Sequence, residues 1–190
     1  FSDAANTIRV NLSDDCWLQS CTLRLQFTIT NTHASAVLTP VAHPMALFEN
    51  VRLYIGGQVA ENMDNITVLG NHIDFFKPMT RRLTESLENH PIKADGNGDE
   101  RLEIQAGQTR RAIMDLPLGF FKQRIWAPLL LISNCAVRFT LGDKLNAFKG
   151  GQSDNYDLSD VSRLGTCLHV DSAISAGYRQ HLDAGLPLQI

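Results

Sequence analysis

The sequence predicts an all-β fold, an antiparallel jelly-roll sandwich with short helical insertions, and three observations carry that prediction. Residues 22–30 alternate without a break, so that Leu23, Leu25, Phe27 and Ile29 share one side while Thr22, Arg24, Gln26, Thr28 and Thr30 take the other. A strand gathers such residues on one face, whereas the helical period scatters them around a circumference. The pattern then recurs: Val51, Leu53 and Ile55 alternate with Arg52 and Tyr54, Leu102 and Ile104 with Arg101, Glu103 and Gln105, and Val137, Phe139 and Leu141 with Arg138 and Thr140. Strands with one wet face belong to antiparallel sheets. Finally, about eight such strands are joined by loops and isolated helical stretches instead of regular βαβ alternation, which fits a jelly roll best.

Each element follows from local pattern. Thr7–Leu12 is a first strand, with Ile8, Val10 and Leu12 on one face, and Ser13-Asp14-Asp15 ends it. A long strand is expected over 17–30, followed by a loop from Asn31 to Pro44 that carries two prolines. Strand character returns from Ala46 and meets Gly56-Gly57, a pair suited to a two-residue hairpin because glycine accepts positive φ freely. Gln58–Asn62 returns along an edge. The period then changes, since Ile66, Leu69, Ile73 and Phe76 recur at helical spacing; Asp64 or Asn65 can cap this helix and Pro78 stops it.

Residues 79–99 are the least regular and end in Asp95-Gly96-Asn97-Gly98-Asp99, too polar to pack, so an exposed loop is expected there. Arg101–Gln105 is expected to turn at Ala106-Gly107-Gln108 into Thr109–Leu116 as a hairpin. Pro117–Pro128 has no strand period, yet holds Phe120, Phe121 and Trp126, which anchor a long loop against the sandwich. Asn134–Leu141 is the next strand, 150–157 is loop, and 163–171 is a further strand. Ser172–Asp183 is a short helix with Ile174, Tyr178 and Leu182 on one face, and Gly185 closes it as a C-cap does. Residues 1–185 are thus expected to form one jelly-roll domain, with 186–190 opening a following segment or a second jelly roll.

Composition sets the outer bounds. A chain of 190 residues, 44% hydrophobic and 19% charged, has room for one well-buried domain. Its net charge of −3 argues against nucleic-acid binding by bulk electrostatics, which needs a basic excess, although a local basic patch remains compatible. Four cysteines, Cys16, Cys21, Cys135 and Cys167, form no CxxC pair and no disulfide framework. All four are expected to be small, mostly buried thiols, which makes a reducing cytoplasm or nucleus the default compartment. No apolar run reaches the length of a membrane span and no signal peptide is visible.

A search for catalytic chemistry returns little. The histidines, His33, His43, His72, His90, His169 and His181, form no HxH, HExxH or HxxxH spacing, so the closely spaced ligands of a metal-binding cupin are missing. Asp95–Glu100 faintly resembles a calcium loop but lacks the bidentate glutamate that closes one, and a solvated turn is expected. Arg81-Arg82 and Arg110-Arg111 are basic doublets of the kind that commonly form a wet face. Gly56-Gly57 lacks the helix and lysine of a phosphate-binding loop. No catalytic, cofactor-binding or metal-ligating residue is assigned, and the chain is expected to be no enzyme and to need no cofactor. Much sheet, many loops and no active site suggest a protein whose work is contact.

Several segments, in order, resemble one family. Leu47-Phe48-Glu49-Asn50-Val51-Arg52-Leu53-Tyr54-Ile55-Gly56-Gly57-Gln58-Val59-Ala60-Glu61 is similar to an early strand, double-glycine turn and strand in the double jelly-roll major capsid proteins of virophages, polinton-like viruses and large DNA viruses. Pro128-Leu129-Leu130 and Arg138-Phe139-Thr140-Leu141-Gly142-Asp143 resemble the strand between, and Ser159-Asp160-Val161, Leu168-His169-Val170-Asp171, Tyr178-Arg179-Gln180 and Gly185-Leu186-Pro187-Leu188 the end of the first jelly roll. The family carries two jelly rolls per chain and this chain has room for one.

The resemblance implies a structural protein of the virion capsid, assembled in the host cytoplasm or nucleus into homotrimeric capsomers of an icosahedral shell, with copies of itself and other capsid proteins as partners. It implies no small-molecule substrate, nucleic-acid contact or membrane span. A single jelly-roll penton or minor capsid protein is the alternative, as is a non-viral lectin-like module; a cupin-type enzyme ranks third. The subunit-interface candidates are Phe75, Phe76, Phe120, Phe121 and Trp126, apolar aromatics at loop or insertion positions, which sit either tucked beneath their own loop or between subunits.

Overall fold

The computed structural model describes residues 6–12, 16–40, 43–76, 103–129, 134–143, 147–148 and 156–185, the side chains of 71 and 73–75 excepted. Its strands are β1 (Thr7–Asn11), β2 (Trp17–Gln19), β3 (Arg24–Asn31), β4 (Phe48–Ile55), β5 (Gln58–Asp64), β6 (Thr109–Asp115), β7 (Trp126–Pro128), β8 (Ala136–Leu141), β9 (Tyr156–Leu164) and β10 (Cys167–Leu168). Its helices are α1 (Ile66–Phe76) and α2 (Ser172–Asp183). Every strand pairing among the described residues is antiparallel.

One layer has the strand order β1-β8-β4-β5. The other consists of two three-stranded ladders, β6-β3-β9 and β10-β2-β7. These continue one another, because β3 and β2 lie between the same chain runs on both sides: Arg24 pairs with Asp115 and Leu164 at one end, and Leu18 with Ala127 and Cys167 at the other. The long strand expected over 17–30 is therefore broken by a 3-10 turn at Ser20–Thr22. Buried Ser20 holds the break, its hydroxyl donating to the carbonyls of Gln123 (2.6 Å) and Ile125 (3.2 Å). Apolar alternation reports which side chains face inward and carries no information about a kink that a buried hydroxyl stabilises.

The core lies between the layers. Leu23, Leu25, Phe27, Ile29, Val137 and Phe139 are all buried, and Leu141 is partly so. Phe48 joins the two layers: its ring stands edge-on to Phe27 of β3 (5.7 Å between centroids, 90°) and tilted against Phe139 of β8 (5.1 Å). Edge-to-face arrangements suit the aromatic quadrupole. Asn31, fully buried at the end of β3, donates its amide to the carbonyls of Ala36 (2.9 Å) and Ile104 (2.8 Å) and so ties down the loop that follows.

The Gly56-Gly57 hairpin is present with φ of +60° and +82°, the double positive φ of a type I′ turn. Three other segments depart from expectation. Ile104 bridges Leu38 by two 2.9 Å backbone bonds, while β6 pairs along β3; residues 101–102 of the expected hairpin lie outside the described residues. The strand expected over 163–171 instead belongs to β9, which ends at Leu164, and to β10. A bulge places Asp160 and Val161 opposite Phe27, with Asp160 at φ +50°, a conformation aspartate tolerates, and it shifts the register that periodicity would assign. The stretches 79–99 and 186–190 lie outside the described residues.

Candidate contact surface

The aromatic turn after β6 is clamped from two sides. Gly119–Lys122 form a 3-10 turn whose amides at Gly119 (2.6 Å) and Phe120 (3.1 Å) donate to the Glu61 carboxylate on β5. Ser20 holds the chain just beyond it. Phe121 is buried and meets the partly buried Phe120 edge-on at 5.2 Å. Trp126 opens β7 opposite Gln19 and is half-buried. Of the five interface candidates, Phe121 thus lies inside this chain, Phe120 and Trp126 lie at its boundary, and the side chain of Phe75 is outside the described set.

Phe76 differs. The helical spacing of Ile66, Leu69, Ile73 and Phe76 predicts a shared inward face, yet Phe76 is 77% exposed, at the end of α1. Val68, His72 and Phe76 stand at i, i+4 and i+8, so they share a stripe, and Val68 is 55% exposed. The opposite side of α1 packs closely: Ile66 is buried, and a Cβ added at Gly70 would lie 2.9 Å from the Met45 Cβ. The Asp64 carboxylate accepts the side-chain amides of Asn50 and of Asn62.

A second apolar stripe runs along α2. Asp171 caps the helix by accepting from the Ala173 amide (2.7 Å), and Gly185 at φ +73° follows its end, as expected. Tyr178 packs edge-on against Trp17 at 4.9 Å, which seats the helix on β2. Ile174 and Leu182, one turn and more to either side of Tyr178, remain exposed, as do Leu168 of β10 and Leu164 of β9. Isolated exposed apolars are ordinary, whereas several along adjoining elements mark contact surfaces.

The remaining sequence features distribute without converging. Cys16 and Cys135 are buried but Cys21 and Cys167 are exposed, so the expectation of four buried thiols holds for two. Burial pushes the Cys135 thiol up to about 11, against a smaller opposing pull from Arg163. His43 is buried, and its Nδ1 accepts from the Met45 amide. Arg110 and Arg111 are neighbours on β6 and so project to opposite faces; burial lowers the Arg110 pKa, while Arg111 is exposed. Arg81-Arg82, His90 and the Asp95–Glu100 loop lie outside the described residues. Among the described residues no three His, Cys, Asp or Glu groups come together to hold a metal, and no helix is long and apolar enough to cross a membrane.

This architecture is the jelly-roll sandwich found in viral capsid proteins. PBCV-1 VP54, as fitted into a reconstruction of the virophage Sputnik, is similar over 92% of this chain with a TM-score of 0.51 and 16% identity. A quasi-atomic model of the PBCV-1 virus capsid is similar over 91% of the chain, with a TM-score of 0.54 and 15% identity. The chain spans 40% of each of those chains. No protein-family model matches the sequence, and no curated protein sequence does.

Proposed function

We propose that this chain is the jelly-roll part of a viral major capsid protein, a non-enzymatic building block that assembles with copies of itself into trimeric capsomers of an icosahedral shell. The observation that carries this reading is the shared fold with capsid proteins over nine-tenths of the chain. The surface supports it: Val68 and Phe76 on α1, and Leu164, Leu168, Ile174 and Leu182 around α2, leave apolar area for neighbours to cover. Phe76 is the foremost interface anchor, with Phe75, Phe120 and Trp126 as further candidates; Phe121 supports its own turn from within. The virion capsid would then be its location, and assembly would take place in the host cytoplasm or nucleus.

Light scattering and negative-stain microscopy of the whole protein test this. Trimers, or larger arrays with pseudo-hexagonal outlines, are expected. The variant Phe76→Ala should weaken association. A protein monomeric at every accessible concentration would refute the reading, and pentamers would favour the penton alternative.

A further inference from the structure

The outer face of the first layer carries a row of charge that pairwise sequence reading misses. Arg9 on β1, Arg138 on β8 and Arg52 on β4 are direct cross-strand partners. Cross-strand neighbours bring their Cβ atoms to about 4.5–5.5 Å, and like charges so placed repel. In the second layer the outward Arg24 pairs instead with Asp115 across β3 and β6 at 3.0 Å. In the row, by contrast, Arg9 Nε donates to Asn11 Oδ1 (3.2 Å) and Arg52 Nε to Asn62 Oδ1 (2.9 Å), both neutral amides. Among the described residues no carboxylate forms an ion pair with any of the three.

A groove of about 370 Å³ lies on this face, lined by Arg52, Arg138, Thr140, Asn50, Glu49 and Asp64 among others. Its polar walls are held in place. The Asn50 amide donates to Asn62 Oδ1 (2.9 Å) and to Asp64, and the Asn62 amide donates to Asp64 Oδ2 (2.9 Å). One linked network thereby fixes Arg52, Asn62 and Asp64 around Asn50. Asn50 is 94% buried, and among the described residues its Oδ1 has no hydrogen-bond donor. Like charges set opposite one another across strands work against the pairing that brings them together, so the role of the row is sought in binding.

We infer that this groove binds an acidic saccharide, a sugar bearing one carboxylate beside its hydroxyls. Guanidinium groups match a planar carboxylate in geometry and charge, and the free ends of Arg138 and Arg52 supply the donors. Asp64, Glu49 and Thr140 supply acceptors for hydroxyl groups. A phosphate fits less well, since Asp64 and Glu49 repel its higher charge, and a neutral sugar leaves Arg138 unanswered. The groove lies within the range of small-ligand sites. The inference is independent of the capsid reading.

Titration of the whole protein with sialyllactose, lactose, inorganic phosphate and an acidic peptide, followed by calorimetry and by NMR shifts, tests it. Saturable binding of sialyllactose with shifts on β4, β5 and β8 is expected, with none for lactose. Arg138→Gln should weaken binding by about ten-fold or more, the loss of a charge-assisted hydrogen bond. Its melting temperature should hold or rise, because a repulsive neighbour is removed. Arg52→Lys, which keeps the charge and loses the fork, should weaken binding as well. Equal binding of lactose, displacement by phosphate, preference for the peptide, shifts elsewhere, or no saturation would each overturn the proposal. Oligomeric state is read separately, so failure here leaves the assembly experiment untouched.

Discussion

Phe48 is the most informative residue to perturb, because among the described residues it alone touches aromatic partners in both layers. Its ring is fully buried, 5.7 Å from Phe27 and 5.1 Å from Phe139. Truncation of a buried phenylalanine costs about 3–5 kcal/mol, made of lost transfer energy and the cavity left behind. Aromatic pairs add about 0.5–1.5 kcal/mol beyond burial, and here two pairs are lost. Phe48→Ala should therefore fall in the upper part of that range, about 4–5 kcal/mol. At roughly 2–4 °C per kcal/mol for a chain of this size, the melting temperature should drop by about 8–20 °C. Urea unfolding monitored by circular dichroism reads the loss as a lower midpoint at unchanged slope. Since domains are stable by only about 5–15 kcal/mol, Phe48→Leu serves as the gentler variant, with a loss of about 1–2 kcal/mol. The exposed Val59→Ala is the control, expected within about 0.5 kcal/mol of the parent. A loss below about 1.5 kcal/mol for Phe48→Ala would falsify the claim that the two layers meet at this ring.

Three further predictions address separate links. Glu61→Ala removes the acceptor of the Gly119 and Phe120 amides and should cost about 1–3 kcal/mol, with faster hydrogen exchange across 119–122; unchanged exchange would show that the clamp is idle. Gly57→Ala forces a side chain onto φ +82° and should cost about 1–2 kcal/mol, whereas Asn at the same position should be tolerated; equal stability of the two would contradict the turn geometry. Cys21 and Cys167 should react with a thiol reagent in the native state at pH 8 while Cys135 resists, since its thiol is buried and its pKa stands near 11. The folded form holds that proton more tightly than the unfolded form, so its contribution to stability is present below the ordinary thiol range and fades as pH rises toward about 11. Rising stability across that interval would reverse the assignment.

Much of the fold was legible because alternation and helical spacing are local. Leu25, Phe27, Val137 and Phe139 alternate with polar residues, and the structure buries all four. The double-glycine turn and the α2 bounds were equally readable, since glycine at positive φ and an Asp cap act within a few residues. The candidate surface was less so. Phe121 and Phe76 are both phenylalanines flanking irregular segments, yet one is buried and the other 77% exposed. The turn that carries Phe121 is held by Glu61 of β5, a residue about sixty positions away, and no local pattern reports such a contact.

The amino-acid sequence by itself determined the strand faces, the hairpin turn and the helix ends, because each depends on neighbours a few residues apart. Tertiary structure alone decided the rest. The break at Ser20 exists because Gln123 and Ile125, about a hundred residues away, offer carbonyls to a buried hydroxyl. The arginine doublet Arg110-Arg111, expected to form one wet face, splits across two faces of β6, since successive residues of a strand point opposite ways. The actual basic row is assembled from Arg9, Arg52 and Arg138, far apart in the chain, by the antiparallel register of β1, β8 and β4. Register is a property of pairing between strands, and no local pattern in any one strand encodes which residue of a distant strand will lie opposite.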